Sequence, residues 1–137
     1  MEILNIWDAK MHGWKKGWRE IGNTRHFYRS RSEANYARFL EWQKSRGIIK
    51  DWAYEPETFW FNGVKRGVVS YLPDFKVTFQ DGKQEYHEIK GWMDLKSKTK
   101  LKRMAKFYPS VVVKLISHKA YKDLEQMVFR MVSGWEE

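Results

Sequence analysis

The chain contains no cysteine. That single absence removes disulfide frameworks, thiolate zinc sites and cysteine nucleophiles, so any metal must be held by oxygen or imidazole, which favours a hard cation. Long hydrophobic runs are missing as well. No stretch approaches the ~18 residues of a membrane span, and no lipidation signal or amphipathic lipid-binding segment stands in for one. The opening residues, MEILNIWDAKMHGW, lack the basic-then-apolar layout of a signal peptide. The expectation is a cytoplasmic protein with no membrane partner. No linker rich in proline, glycine or serine, no repeat and no low-complexity tract divides the 137 residues, so one domain is expected over residues 1–137.

Acidic residues are the scarcer charge: 17 Asp and Glu stand against 26 Lys and Arg, a formal net charge of +9. An excess of this size on a small domain points to a polyanionic partner, because each cation set on a phosphate releases condensed counterions. Hydrophobic content of 42%, with 17% aromatics, is ample for a packed core.

Residues 1 to about 17 show no clear periodicity and read as an arm. Trp18–Ile21 and Arg25–Arg29 alternate around Gly22-Asn23 and predict a hairpin, so residues 1–29 form an arm and hairpin ahead of a core over residues 30–133. Ala34, Ala37 and Leu40 recur at helical spacing between Ser30 and Gly47, which predicts a helix over 31–46. The segment DWAYEPETFWF reads as extended and interrupted by Pro56; a loop and a short strand, VVSYL, follow. DLKSKTKLKRMAKFY predicts a basic helix with Leu101, Met104, Ala105 and Tyr108 along one face. SVVVKLIS predicts a strand covered on both faces, and Tyr121, Leu124, Val128 and Met131 a final helix. This order gives the α/β class, a central mixed sheet flanked by helices.

Within LPDFKVTFQDGKQEYHEIKGW, Phe75, Val77 and Phe79 alternate with Asp74, Lys76 and Thr78, while Tyr86, Glu88 and Lys90 share a face of the next strand. Turn length decides whether the acids meet. A two-residue Asp81-Gly82 loop would throw them onto opposite faces. A three-residue loop, Gln80-Asp81-Gly82, pairs Phe79 with Lys83, sets Asp74 across from Glu88 and puts Gly82 in the left-handed position such loops require. The second register is expected. It would place the two Cβ atoms roughly 4.5–5.5 Å apart, within joint reach of one cation; without that cation one carboxylate would tend to hold its proton. Acids at a solvated sheet edge, each paired with a lysine, are the competing reading of the hairpin alone.

Pro73-Asp74, thirteen further residues and then Glu88-Ile89-Lys90, with Glu33 on an upstream helix, resemble the PD-(D/E)XK nuclease superfamily. The likeness runs from about Ser30 to Tyr121. PDF, EIKGW and the following basic helix and apolar strand are similar to phage-encoded endonucleases that resolve Holliday junctions. The resemblance implies a restriction-endonuclease-like core in which Asp74, Glu88 and the backbone carbonyl of Ile89 hold one Mg²⁺ or Mn²⁺. In it Glu33 binds a second ion, and Lys90 orients or helps to deprotonate the attacking water. It further implies a DNA endonuclease of recombination, selective for branched DNA such as a four-way junction. Two opposed cuts would need a homodimer, in the host cytoplasm if the gene is a phage's. Glu33 has a rival role, since Ser30-Arg31-Ser32-Glu33 is also a capping box. His87 alternates away from Glu88 and is expected to be structural or to support the site from behind its ligands, and His12, His26 and His118 have no zinc-like spacing.

Lys96, Lys98, Lys100, Lys102 and Arg103 on the basic helix, with Lys15, Lys16, Arg29 and Arg31, are the candidate DNA contacts. Trp14 and Trp18 could stack on unpaired bases or fill a core or interface. Two other functions compete: a non-catalytic nucleic-acid binder on a nuclease-like fold, and a nuclease for linear duplex, flaps or single strands.

Overall fold

The structure is a computed structural model and describes residues 15–137. The expected arm, including Trp14 and His12, lies outside the described residues except for its last three positions. Strands β1 (Gly17–Ile21) and β2 (Thr24–Tyr28) form the expected antiparallel hairpin. Gly22 and Asn23 adopt φ of 62° and 64°, the mirror-image turn that suits the twist of paired strands. Helix α1 (Arg31–Ser45) starts where the Ser30 hydroxyl accepts the Glu33 N–H at 3.0 Å and gives way to Gly47 at φ 73°. Its Ala34, Ala37 and Leu40 are wholly buried, and the two alanines let the helix lie close on the sheet.

The main sheet has four strands in the order β3 (Asp51–Tyr54), β6 (Phe75–Thr78), β7 (Gln84–Lys90), β8 (Val113–Ser117). The first three are antiparallel, while β8 runs parallel to β7 and is reached through helix α2 (Leu95–Phe107), so the sheet is mixed. Helix α3 (His118–Val128) follows β8 directly. One face of the sheet packs Phe75, Val77, Ile89 and Ile116 against α1, with Leu124 of α3 and with Ile21 and Tyr28 of the hairpin. The other packs Tyr86 against Tyr71, Phe59, Phe61 and Met104 of α2. Helices therefore cover both faces. Each fully buried side chain such as Phe75 or Leu40 contributes roughly 1.5–3 kcal/mol.

The extended segment from Asp51 is interrupted beside Pro56 as expected, at Glu55 with φ 45°, and resumes as β4 (Phe59–Trp60). Four expectations need correction. With β5 (Ser70–Tyr71), all that VVSYL contributes, β4 makes a separate two-stranded ribbon. Strand β8 is an edge with Leu115 36% exposed, and Val112 just before it 47%, rather than a strand covered on both faces, because α2 reaches Val113 but leaves Leu115 open. The last helix stops at Val128, so Met131 lies beyond it and is exposed. On α2, Ser97 and Met104 are buried while Ala105 faces out.

Candidate active site

The turn between β6 and β7 sets the site. Phe79 N–H donates to Lys83 O at 2.8 Å, Gly82 N–H to Phe79 O at 3.0 Å, and Gly82 adopts φ 88°. This is the three-residue loop. Pairing then runs from Thr78 with Gln84 to Phe75 with His87, so the next position outward sets Asp74 across from Glu88. Lys76, cross-strand from Tyr86, lies 5.9 Å from the centre of that ring, as expected if Asp74, Lys76, Tyr86 and Glu88 share one face. Both acids are nearly inaccessible, Asp74 at 8% and Glu88 at 7% exposure.

Such burial is costly unless each oxygen has a partner. Asp74 Oδ2 accepts the Ile89 N–H at 2.8 Å, which ties the first acid to the strand carrying the second. Glu88 Oε1 accepts the Tyr71 hydroxyl at 2.8 Å, and its Oε2 lies 3.2 Å from Lys90 Nζ. Glu33 approaches from the start of α1, where its Oε1 accepts the Tyr54 hydroxyl at 2.5 Å. Half of the capping box is therefore formed: Ser30 caps the helix, while the Glu33 carboxylate bonds to the sheet.

The three acids feel one another. Burial, then the charges of Glu33 and Glu88, push the Asp74 carboxyl up to about 8, against the opposing Ile89 N–H and Arg29. Burial also raises Glu33, with Glu88 adding to the rise and Tyr54 and Arg29 opposing it. Burial followed by the Glu88 and Asp74 charges holds the Tyr71 hydroxyl firmly protonated, so it stays a donor to Glu88. Carboxylates crowded in this way bind a cation or share a proton.

Among the described residues no three His, Asp or Glu side chains converge as a ready-made metal cage. The donor set still fits a hard divalent ion. Mg²⁺ typically takes one or two carboxylates and completes its shell with water and substrate phosphate oxygens, and Asp74 and Glu88 supply two carboxylates where charge is in excess.

A cleft of ≈ 520 Å³ opens beside this group, with Arg29, Arg31, Glu33, Lys90, Trp92 and His118 in its wall. Asp74 and Glu88 are not part of that wall. They connect to it through Lys90, which contacts Glu88, and through Glu33, whose charge acts on Asp74. His87 is buried away from the acids, its Nδ1 2.7 Å from the Tyr36 hydroxyl and its Nε2 2.9 Å from Glu85, as a structural histidine would be.

The expected DNA-contacting residues divide into two groups. Lys15, Lys16, Lys96, Lys98 and Lys102 are exposed, and Lys100 is half-buried. Arg103 instead turns inward and donates to the Val68 carbonyl, bracing α2 against the loop before β5. Arg29 pairs with Glu55, and Arg31 donates to the Glu137 carbonyl. Trp18 is 61% exposed, with Arg25 5.0 Å over its ring. Sequence reading missed Tyr54 and Tyr71, the hydroxyl donors to Glu33 and Glu88.

No described helix is long and apolar enough to cross a membrane. No curated protein and no solved structure shows significant similarity to the chain. The profile of one protein family, described as "Protein of unknown function (DUF1064)", matches residues 15–124, which span β1 to α3 and every acid and lysine of the site. The chain belongs to that family.

Proposed function

We propose that the chain is a divalent-metal-dependent DNA endonuclease of the PD-(D/E)XK kind, on a restriction-endonuclease-like core, acting on branched DNA such as a four-way junction. The observation that carries this reading is the register of the β6–β7 hairpin, which sets buried Asp74 across from Glu88 with Lys90 two residues on. A non-catalytic binder would gain nothing from carboxylates beside phosphate.

Asp74, Glu88 and the Ile89 carbonyl would hold a Mg²⁺ or Mn²⁺ ion, with Glu33 available to a second. Such an ion, when bound, acidifies water and offsets charge on the leaving oxygen. The chain's own groups supply the rest. The Tyr71 hydroxyl and the Asp74 bond to Ile89 N–H fix the two carboxylates, so that little reorganisation accompanies binding. The Lys90 ammonium, 3.2 Å from Glu88, would orient the attacking water and offset charge on the phosphoryl oxygens. The exposed lysines of α2 continue from the same strand and would track the phosphate backbone. Symmetrical cutting of a junction would take two copies, hence a homodimer.

The test is incubation with four-way junction, flap, linear duplex and single-stranded DNA, with and without Mg²⁺. Paired nicks confined to the junction and lost in chelator are expected, and Asp74→Ala or Glu88→Ala should abolish them while DNA binding persists. Full activity in either variant rejects the site.

A further inference from the structure

The segment leaving the active-site strand carries apolar side chains where a folded domain has no use for them. Trp92 is 77% exposed, Leu95 81% and Met93 36%, within a few residues of Lys90. The segment is anchored at both ends. Lys90 belongs to β7, and Asp94 caps α2 by accepting the Ser97 N–H at 2.7 Å. An indole on so short a tether is presented, not merely left out.

Its surroundings identify what it meets. Trp92 stands in the wall of the cleft that also holds Lys90, Arg29, Arg31 and Lys122. On its other side α2 begins with exposed Lys96 and Lys98. The cleft wall also carries Glu33, Asp94 and Glu125, so the more positive side of the indole is the one towards α2. A flat apolar surface beside such cations complements a nucleotide, whose base has a π-face and whose flanking phosphates are anionic. Paired bases in an intact duplex keep their faces stacked on one another. The indole can therefore stack only on a base face left uncovered, as at a branch point, in a single-stranded segment or at a duplex end.

We propose that Trp92 is the platform for one unpaired base next to the scissile phosphate, and that it supplies selectivity for branched over linear DNA. The proposal rests on the nuclease reading for its substrate class, but its test does not need cleavage.

Binding is measured in EDTA to a four-way junction, to the same junction with one branch-point nucleotide made abasic, and to linear duplex. Trp92→Ala should weaken junction binding about ten- to a hundredfold, the range expected for removal of one stacked base, and leave linear duplex unchanged. Trp92→Phe should stay within about threefold of wild type on the junction. At one branch position the abasic substitution should weaken wild-type binding by the same factor and leave Trp92→Ala no weaker still, because both remove the same stacking partner. Equal junction affinity of wild type and Trp92→Ala overturns the proposal. So does additivity of the two changes at every branch position, or a wild-type dimer that Trp92→Ala converts to monomer, which would assign the surface to a second copy. A chain that shows this pattern yet never cuts DNA would sink the nuclease reading and leave the base platform standing.

Discussion

Asp74 offers a test that needs no substrate. Its carboxyl is pushed from the ordinary 3.8 up to about 8, by burial first and then by the charges of Glu33 and Glu88. A carboxyl raised in the folded state favours folding fully below pH 3.8, and this contribution is lost as the pH rises towards 8. At pH 7 the folded protein keeps the proton and the unfolded chain releases it. Across the roughly three units separating pH 7 from the ordinary pKa, at about 1.36 kcal/mol per unit, unfolding is favoured by about 4 kcal/mol. Relaxation and water entry around a coupled cluster reduce this to about 2–4 kcal/mol. Asparagine has no proton to release on unfolding and keeps an oxygen for the Ile89 N–H. Metal-free Asp74→Asn should therefore be more stable than wild type by about 2–4 kcal/mol at pH 7, and the gap should close towards pH 4. The assay is urea unfolding in EDTA at several pH values between 4 and 8. Repeating it with Mg²⁺ at about a hundred times its Kd should stabilise wild type by about 2.7 kcal/mol and leave the variant unmoved. A stability difference that does not change with pH, or an asparagine variant weaker at pH 7, would refute the crowded-carboxylate account.

Neutralising Lys98 and Lys102 together, both exposed on α2, should lower the salt dependence of DNA binding by about 0.9 for each phosphate no longer neutralised, and an unchanged slope would clear that helix of a role on the DNA backbone. Tyr71→Phe removes the 2.8 Å donor to buried Glu88 and should cost about 1–3 kcal/mol of stability; cleavage should then need more Mg²⁺ for half-maximal rate. Were that Mg²⁺ requirement unaltered, Tyr71 would have no part in holding the ligand. Gly82→Ala meets no atom within 4 Å, so its destabilisation comes from φ 88° alone, about 1–2 kcal/mol by thermal melting, and Gly82→Asn should be milder.

The sequence is most readable where a local rule has a single outcome. Turn chemistry around Gly82 and strict alternation in β6 and β7 decide the face each residue occupies, so the pairing of Asp74 with Glu88 follows without tertiary information. The capped start and alanine spacing of α1 follow in the same way. What could not be read depends on parts of the chain that meet only after folding. Tyr54 and Tyr71 reach Glu33 and Glu88 from separate strands, and no spacing rule links them. VVVKLI reads as covered on both faces because apolar content reports burial on average, whereas an edge position leaves Leu115 open. Arg103 reads as one more surface cation until the loop before β5 supplies a carbonyl for it.

The distance between Gly82 and the acids carries a consequence for variation. About six residues of ladder, some 20 Å of strand, separate the loop from Glu88, yet the loop's residue count alone decides which way that glutamate points. Deleting Asp81 would leave every proposed ligand and Lys90 in the chain while turning Glu88 and Lys90 onto the face opposite Asp74. Length changes at surface loops are usually the mildest a protein can suffer; at this one, losing a single residue would break up the proposed cation site as thoroughly as removing an acid.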